Sequence, residues 1–251
     1  MSEKPREFPH LPHAPITEAI IDFRVKPRDD LNVRNIAAVH SLIGTEYPKY
    51  EEKKLFEFEV GVADKVPLAK SRDTGIIAHW FRSKDLLNVA QFRRDGFTFN
   101  RLAPYTRWEQ VFADASQLWR IYVEVTNPLE VSRIAVRYLN RLSFPTALAE
   151  LSKYLTAPPS LPKNVTPSQL GAFFTRLVIV CPDNNIAVNV VQAPESQMES
   201  NPIQMILDID AYCSHNTDDV MGVLAEFEKL RQVKNQVFFD SLTPEAIKLF
   251  E

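Results

Sequence analysis

Val131-Ser132-Arg133-Ile134-Ala135-Val136-Arg137-Tyr138-Leu139-Asn140-Arg141-Leu142 is the stretch that decides the fold. Ile134, Val136 and Tyr138 share one parity and Arg133, Arg137 and Arg141 the other, which is the signature of a half-buried β-strand. Its closing Asn140-Arg141-Leu142 repeats Asn100-Arg101-Leu102, the end of the alternating run that starts at Phe97. Between the copies, Trp108, Val111, Phe112, Ala115, Leu118, Trp119 and Tyr122 recur at helical spacing. Thr106 is the expected cap of that helix, and Asn127-Pro128 its end. The tripeptides do not mark corresponding points of a repeat, since one lies late and the other early in its segment; they bracket the Trp108 helix.

Outward from this stretch the same alternation recurs. Ala19 to Val25 reads as a strand, with Ile21, Phe23 and Val25 opposite Asp22 and Arg24. Asp30 or Asn32 is placed to cap a helix reaching Tyr47, with Ile36, Val39, His40 and Ile43 on one side. Strands are expected at Lys54–Val60, Gly75–Phe81, Leu86–Arg93 and Phe97–Asn100, with Arg94-Asp95-Gly96 a tight turn. Beyond Pro128 follow the strand already quoted, helical or loop segments at Thr146–Leu155 and Pro167–Phe173, and strands at Phe174–Cys181, Ile186–Gln192 and Ile203–Tyr212. A long helix near Asp218 or Asp219 carries Val220, Val223, Leu224, Phe227, Leu230 and Val233 inward, and Ser241-Leu242-Thr243-Pro244 opens a short last one.

This order predicts an α+β protein of two similar strand-helix-strands-helix halves, residues 15–127 and 128–251, after an arm of residues 1–14. Each half is expected to form its own mainly antiparallel sheet gripping a long helix, the two related by a pseudo-twofold duplication. At 251 residues, 45% hydrophobic and 24% charged, the chain can bury a sizeable core. No apolar run approaches the roughly 20 residues of a membrane span, and Met1 to Pro9 lacks the pattern of a signal peptide, so a cytoplasmic protein is expected.

Composition also excludes chemistry. Six glycines leave no GxGxxG, GxxxxGK or GxSxG, which removes the dinucleotide fingerprint, the P-loop and the nucleophile elbow. Cys181 and Cys213 have no metal or redox spacing and read as buried thiols. His10, His13, His40, His79 and His215 form no HExxH and no helical pair. A net charge of −3 offers no field for phosphate backbones, so nucleic acid is not the expected partner. No cofactor is called for.

Pro15-Ile16-Thr17-Glu18-Ala19, Tyr47-Pro48, Phe99-Asn100-Arg101-Leu102-Ala103-Pro104-Tyr105 ahead of Trp108, and Arg137-Tyr138-Leu139-Asn140-Arg141 resemble a sporadically distributed prokaryotic family of the TIGR series, over nearly the whole chain. That family carries no established activity, cofactor or catalytic residue. The element order is similar to TATA-binding-protein-like helix-grip domains, a likeness of fold alone.

Two constellations can carry function. Arg133, Arg137 and Arg141 project from one strand face at intervals of about 13 Å, taking about 3.3 Å per residue, and can take an anionic ligand or an acidic partner. Pairing with carboxylates of neighbouring strands is the competing use of the same side chains. Asp208 and Asp210 share a strand face, with Asp22 in the comparable place of the first strand. A DxD pair can hold Mg²⁺ for phosphoryl chemistry, or lie on a solvated face as an ion-pair partner. Phe97, Phe99, Tyr105, Trp108, Phe112 and Trp119 either build core or line a groove where sheet meets helix. Asn100, Arg101 and Asn140 are the polar exceptions beside them.

The expected function is a binding protein, a homodimer, that recognises a small anionic ligand or a protein partner through Arg133, Arg137 and Arg141, with Asn100, Arg101 and Asn140 beside them. The sporadic occurrence implied by the resemblance suits an accessory or defence role, such as neutralising a toxin. The alternative is a metal-dependent enzyme acting on a phosphorylated or nucleotide substrate, with Asp208 and Asp210 holding the metal.

Overall fold

The computed structural model describes residues 6–63, 66–146, 148–161, 170–195 and 202–251, with side chains described outside 56–74 and 148–149. The expected strand at 131–142 is β6, Glu130–Phe144, and the one at 19–25 is β1, Ile16–Lys26. Between them come β2, Lys49–Ala63, β3, Val66–Arg82, β4, Asn88–Arg93, and β5, Gly96–Leu102. After them come β7, Thr175–Cys181, β8, Ile186–Pro194, and β9, Ile203–Thr217.

Here the structure corrects the expected architecture. The strands do not make two sheets in two halves. Among the described residues they form a single nine-stranded sheet, in the order β2-β3-β4-β5-β1-β6-β9-β8-β7, with every pair antiparallel. The join is β1 against β6, where Ile21 pairs with Val136 and Phe23 with Ile134. Taken alone, either group of strands would leave a central, apolar strand with a row of unpaired amides and carbonyls; each closes the other's open edge. β1 thus has β5 on one side and β6 on the other, and β6 has β9 beyond it.

Alternation then sorts the side chains onto two faces. Ile21, Phe23, Phe97, Phe99, Ile134, Val136, Leu207 and Ile209 point into one buried apolar core. Two helices cover that face. In α2, Trp108–Thr126, the residues Trp108, Val111, Ala115, Leu118, Trp119 and Tyr122 form the buried stripe. α3, Phe227–Ser241, buries Phe227, Leu230, Lys234 and Phe238. Phe23 sits where they meet, stacked on Trp119 at 4.1 Å and tilted against Phe227 at 4.9 Å. The indole N–H of Trp119 donates to the Val220 carbonyl at 3.0 Å, tying α2 to the segment before α3.

Smaller elements also differ from expectation. Asn32 caps through its side chain, accepting from the Arg34 amide. What it starts is a 3-10 turn, Val33–Ala38, followed by α1, Val39–Ile43, rather than one helix to Tyr47. Three buried contacts, Ile36, Val39 and Ile43, suffice to hold so short a segment on the sheet. Thr106 does not cap α2: its N-cap is Arg107, with no side-chain bond. The helix ends on Asn127 in the left-handed region, φ 42°, as asparagine readily does. A 3-10 turn, Leu148–Lys153, stands where a helical or loop segment was expected, and of the second such segment residues 167–169 lie outside the described residues. The last helix is α4, Pro244–Ile247, capped by Thr243. Gly96 is required by space, because a Cβ there would drive into the Phe23 carbonyl of β1. Among the described residues no helix is long and apolar enough to cross a membrane.

Candidate functional site

The sheet face turned away from the helices gathers most of the charged residues that the sequence singles out. Asp22 is its hub. Its carboxylate accepts from Arg93 at 3.1 Å, from Arg24 at 3.2 Å and from Arg133 at 3.3 Å, and also takes the Thr98 hydroxyl. Arg133 bridges onward to Asp210 at 2.9 Å and lies over the Tyr212 ring, 4.5 Å from its centre. Arg137 grips both oxygens of Asp208, at 2.9 and 2.6 Å, in the fork geometry of a bidentate pair. Arg141 pairs with Glu195. Burial raises the Asp210 carboxyl, while Arg133 and Arg137 pull it back down.

Of the residues expected to bind a partner, Arg133, Arg137 and Asn100 line one shallow hollow of about 330 Å³, together with Asp22 and Asp210. Asn100 donates to Glu18 at 2.6 Å and accepts from Gln91 at 2.8 Å. Arg101 is turned elsewhere, donating to the Pro104 carbonyl and to Asn88, and so locks the turn before α2. Among the described residues no three of His, Cys, Asp and Glu converge as a metal site, and Asp208 and Asp210 are each held by an arginine. Cys213 and His215 touch at 3.1 Å, but burial pushes the thiol up to about 11, which keeps it protonated and unreactive.

Asn140 lies on the opposite face, and it leads to a different site. A cleft of about 440 Å³ opens where the start of α2, the end of α3, the helix-side face of β6 and the segment 8–16 meet. Phe8, Leu11, Ile16, Trp108, Phe238 and Phe239 give it apolar walls. The segment 8–16 is fastened there: Phe8 stacks on Phe239 at 5.2 Å, and the His13 amide donates to the Phe250 carbonyl at 3.0 Å. At the floor, the Tyr105 and Tyr138 hydroxyls share a hydrogen bond of 2.8 Å. Burial raises both phenols, Tyr138 well above its ordinary value. Asn140 gives its amide protons to the carbonyls of Tyr138, at 3.2 Å, and Leu207, at 2.9 Å.

Lys234 is the group that makes this cleft unusual. It continues the buried stripe of α3, between Leu230 and Phe238, and is only 6% exposed. Its amine stands 3.6 Å from the centre of the Tyr138 ring, and among the described residues no carboxylate or carbonyl takes its protons. Burial, helped by the neighbouring Arg231, lowers it from the usual lysine range to about 7. Arg231 itself lies over Trp108 at 5.7 Å and pairs with Glu228 at 2.9 Å. Arg107, Trp108 and Glu109, at the N-terminal turn of α2, line the same cleft, and that turn has no side-chain cap and so keeps the positive end of its dipole close by.

Tyr105 and Trp108, read in the sequence as core or as groove lining, and Asn140, read as a polar exception beside them, lie on this cleft, while Lys234 was not singled out. The signal was present: Leu230, Lys234 and Phe238 stand four residues apart, a lysine in a core position of an amphipathic helix. Comparison of the chain with protein-family models and with curated proteins gave no match.

Proposed function

We propose that this protein binds a small molecule bearing a carboxylate or similar anionic head on an apolar body, held in the cleft over Lys234. The observation that carries the reading is a lysine, 6% exposed, that lines the cleft and whose amine meets a ring face but, among the described residues, no proton acceptor. A buried lysine normally either extends its amine to water or pairs it, because an isolated charge in an apolar setting is costly. Nothing in the packing of α3 calls for an amine at this point, so a ligand that supplies the missing partner is the economical account of it.

The surroundings select the sign of that partner. Arg107, Arg231 and Lys234 line the cleft against one acid, Glu109, and the α2 N-terminus adds the positive end of a dipole. Trp108, Phe238 and Phe239 suit an aromatic or aliphatic body. The arginines of the open sheet face are the weaker candidate, because Asp22, Asp208, Asp210 and Glu195 already occupy them. An anion there would have to displace an internal carboxylate. A metal at Asp208 and Asp210 would have to displace Arg137 and Arg133 in the same way.

Thermal shift with three small probes tests the reading. Phenylacetate and hexanoate should raise the melting temperature of the wild type and leave Lys234→Met unmoved, and benzylamine should do nothing. Stabilisation by benzylamine in place of the carboxylates, or an equal response from Lys234→Met, overturns it.

A further inference from the structure

We infer that Lys234 is an amine nucleophile, and that the cleft takes an aldehyde or ketone carrying an anionic group and captures it as an imine; this rests on the cleft being the ligand site. The geometry supplies the requirements of that chemistry. The amine stands over the Tyr138 ring, and Lys234 lines a cleft of about 440 Å³, large enough for a ligand. Among the described residues no carboxylate keeps its lone pair tied up as an ammonium ion. Arg107 is a separate group that can hold the anionic end while Lys234 meets the carbonyl, and Arg231, itself paired with Glu228, adds positive charge beside it.

The step balances without a further reagent. The Nζ lone pair attacks the carbonyl carbon and forms the C–N bond, the C=O π pair moves to oxygen, and a proton passes from nitrogen to that oxygen, giving a carbinolamine. The hydroxyl then leaves with a proton as water while the nitrogen lone pair closes the C=N bond. The protonated imine is a cation. It forms over the Tyr138 ring, whose face attracts cations and lies 3.6 Å from the amine. Solvent entering the open cleft supplies the proton on which the hydroxyl leaves and takes it back in the departing water, since burial makes the Tyr105 and Tyr138 phenols poor acids.

The neutral amine is the reactive form, so the reaction follows pH through Lys234. The charged and titratable groups around it are Arg231 and Glu228 on α3, Tyr138 on β6, Tyr105, Arg107 and Glu109 at the start of α2, and His10 of the segment 8–16. At pH 7 about half of such an amine is neutral, against well under about one thousandth of an ordinary lysine. Low basicity trims intrinsic nucleophilicity, and a selective advantage remains.

The test is reductive trapping of the full chain at pH 7 with 4-carboxybenzaldehyde and sodium cyanoborohydride, located by peptide mass mapping. Lys234 should be labelled at least about tenfold faster than the exposed Lys229 and Lys248, its rate rising with pH and levelling above about 7. Phenylacetate should protect it, and Lys234→Arg, checked by circular dichroism for an unchanged fold, should lose the label. Labelling of Lys234 no faster than of the exposed lysines overturns the imine. If phenylacetate still stabilises the wild type in that event, anion binding stands and only the covalent step falls; if neither occurs, both fall.

Discussion

The Lys234 amine stands 3.6 Å above the centre of the Tyr138 ring, an aromatic face where a helix–sheet interface would ordinarily place apolar contact on both sides. A ring face recovers on the order of 1–2 kcal/mol of a buried charge, well short of what water would have supplied. The consequences of that shortfall can be measured.

Stability should depend on pH through this one side chain. Its folded value, about 7, lies below the 10.5 of an exposed lysine, so between those limits the unfolded chain binds the extra proton and stability rises with pH. Below pH 7 the whole cost of burying the charge is present, on the order of 5 kcal/mol at about 1.4 kcal/mol per pH unit. Lys234→Met should therefore melt at least about 5 °C higher than the wild type at pH 6, with the difference shrinking towards pH 10. A lower melting temperature for the variant at pH 6 would refute this.

Anion binding should take up a proton. Above pH 7 the free protein holds Lys234 mostly neutral, and a bound carboxylate favours the ammonium form, so affinity for phenylacetate should weaken by up to about tenfold per pH unit from pH 7 to 9. Calorimetry in buffers of different ionisation enthalpy measures the uptake directly. An affinity constant from pH 6 to 9 would exclude Lys234 as the partner of the anion.

The arginines of the open face should differ in stability by their burial. Arg133 serves two mostly buried acids and is itself 29% exposed, whereas Arg141 is 55% exposed on a single rim pair. Arg133→Ala leaves Asp22 and Asp210 short of a partner and should lose about 2–3 kcal/mol in urea unfolding. Arg141→Ala should lose under about 1 kcal/mol. Equal losses would mean that the ion pairs do not hold the sheet.

Gly96→Ala sets a new Cβ against the Phe23 carbonyl in the neighbouring strand. Neither strand can retreat, since β1 is held on its far side by β6. Unfolding free energy should fall by about 3 kcal/mol or more, and a loss below about 1 kcal/mol would show that β5 shifts to make room.

The sequence was legible at the level of single elements. Alternation gave β1 and β6 with the face each buries, β9 with its acidic face, and β8 as a strand, and the 3.6-residue period of Trp108 to Tyr122 gave α2, because burial on one side writes itself into spacing. The neighbour of a strand is not written that way. Phe23 must face a core, but nothing in its surroundings names Ile134 as its partner across the β1–β6 join, and this is how two sheets were expected where one exists. The arginines stood out because three of a kind on one face make a pattern. Lys234 did not, because one lysine inside an apolar stripe is read by eye as an interruption, whereas its position four residues from both Leu230 and Phe238 makes it part of the stripe.

The place of β1 between β5 and β6 has a consequence for how the chain is made. Synthesis delivers Ile21, Phe23 and Val25 long before either neighbour exists, for β1 ends at Lys26 while β5 begins at Gly96 and β6 at Glu130. The hairpins β2–β3, β4–β5 and β7–β8 close locally, but the middle of the sheet closes only between distant segments, which makes assembly slow and leaves an apolar strand exposed to the ribosome's surroundings meanwhile.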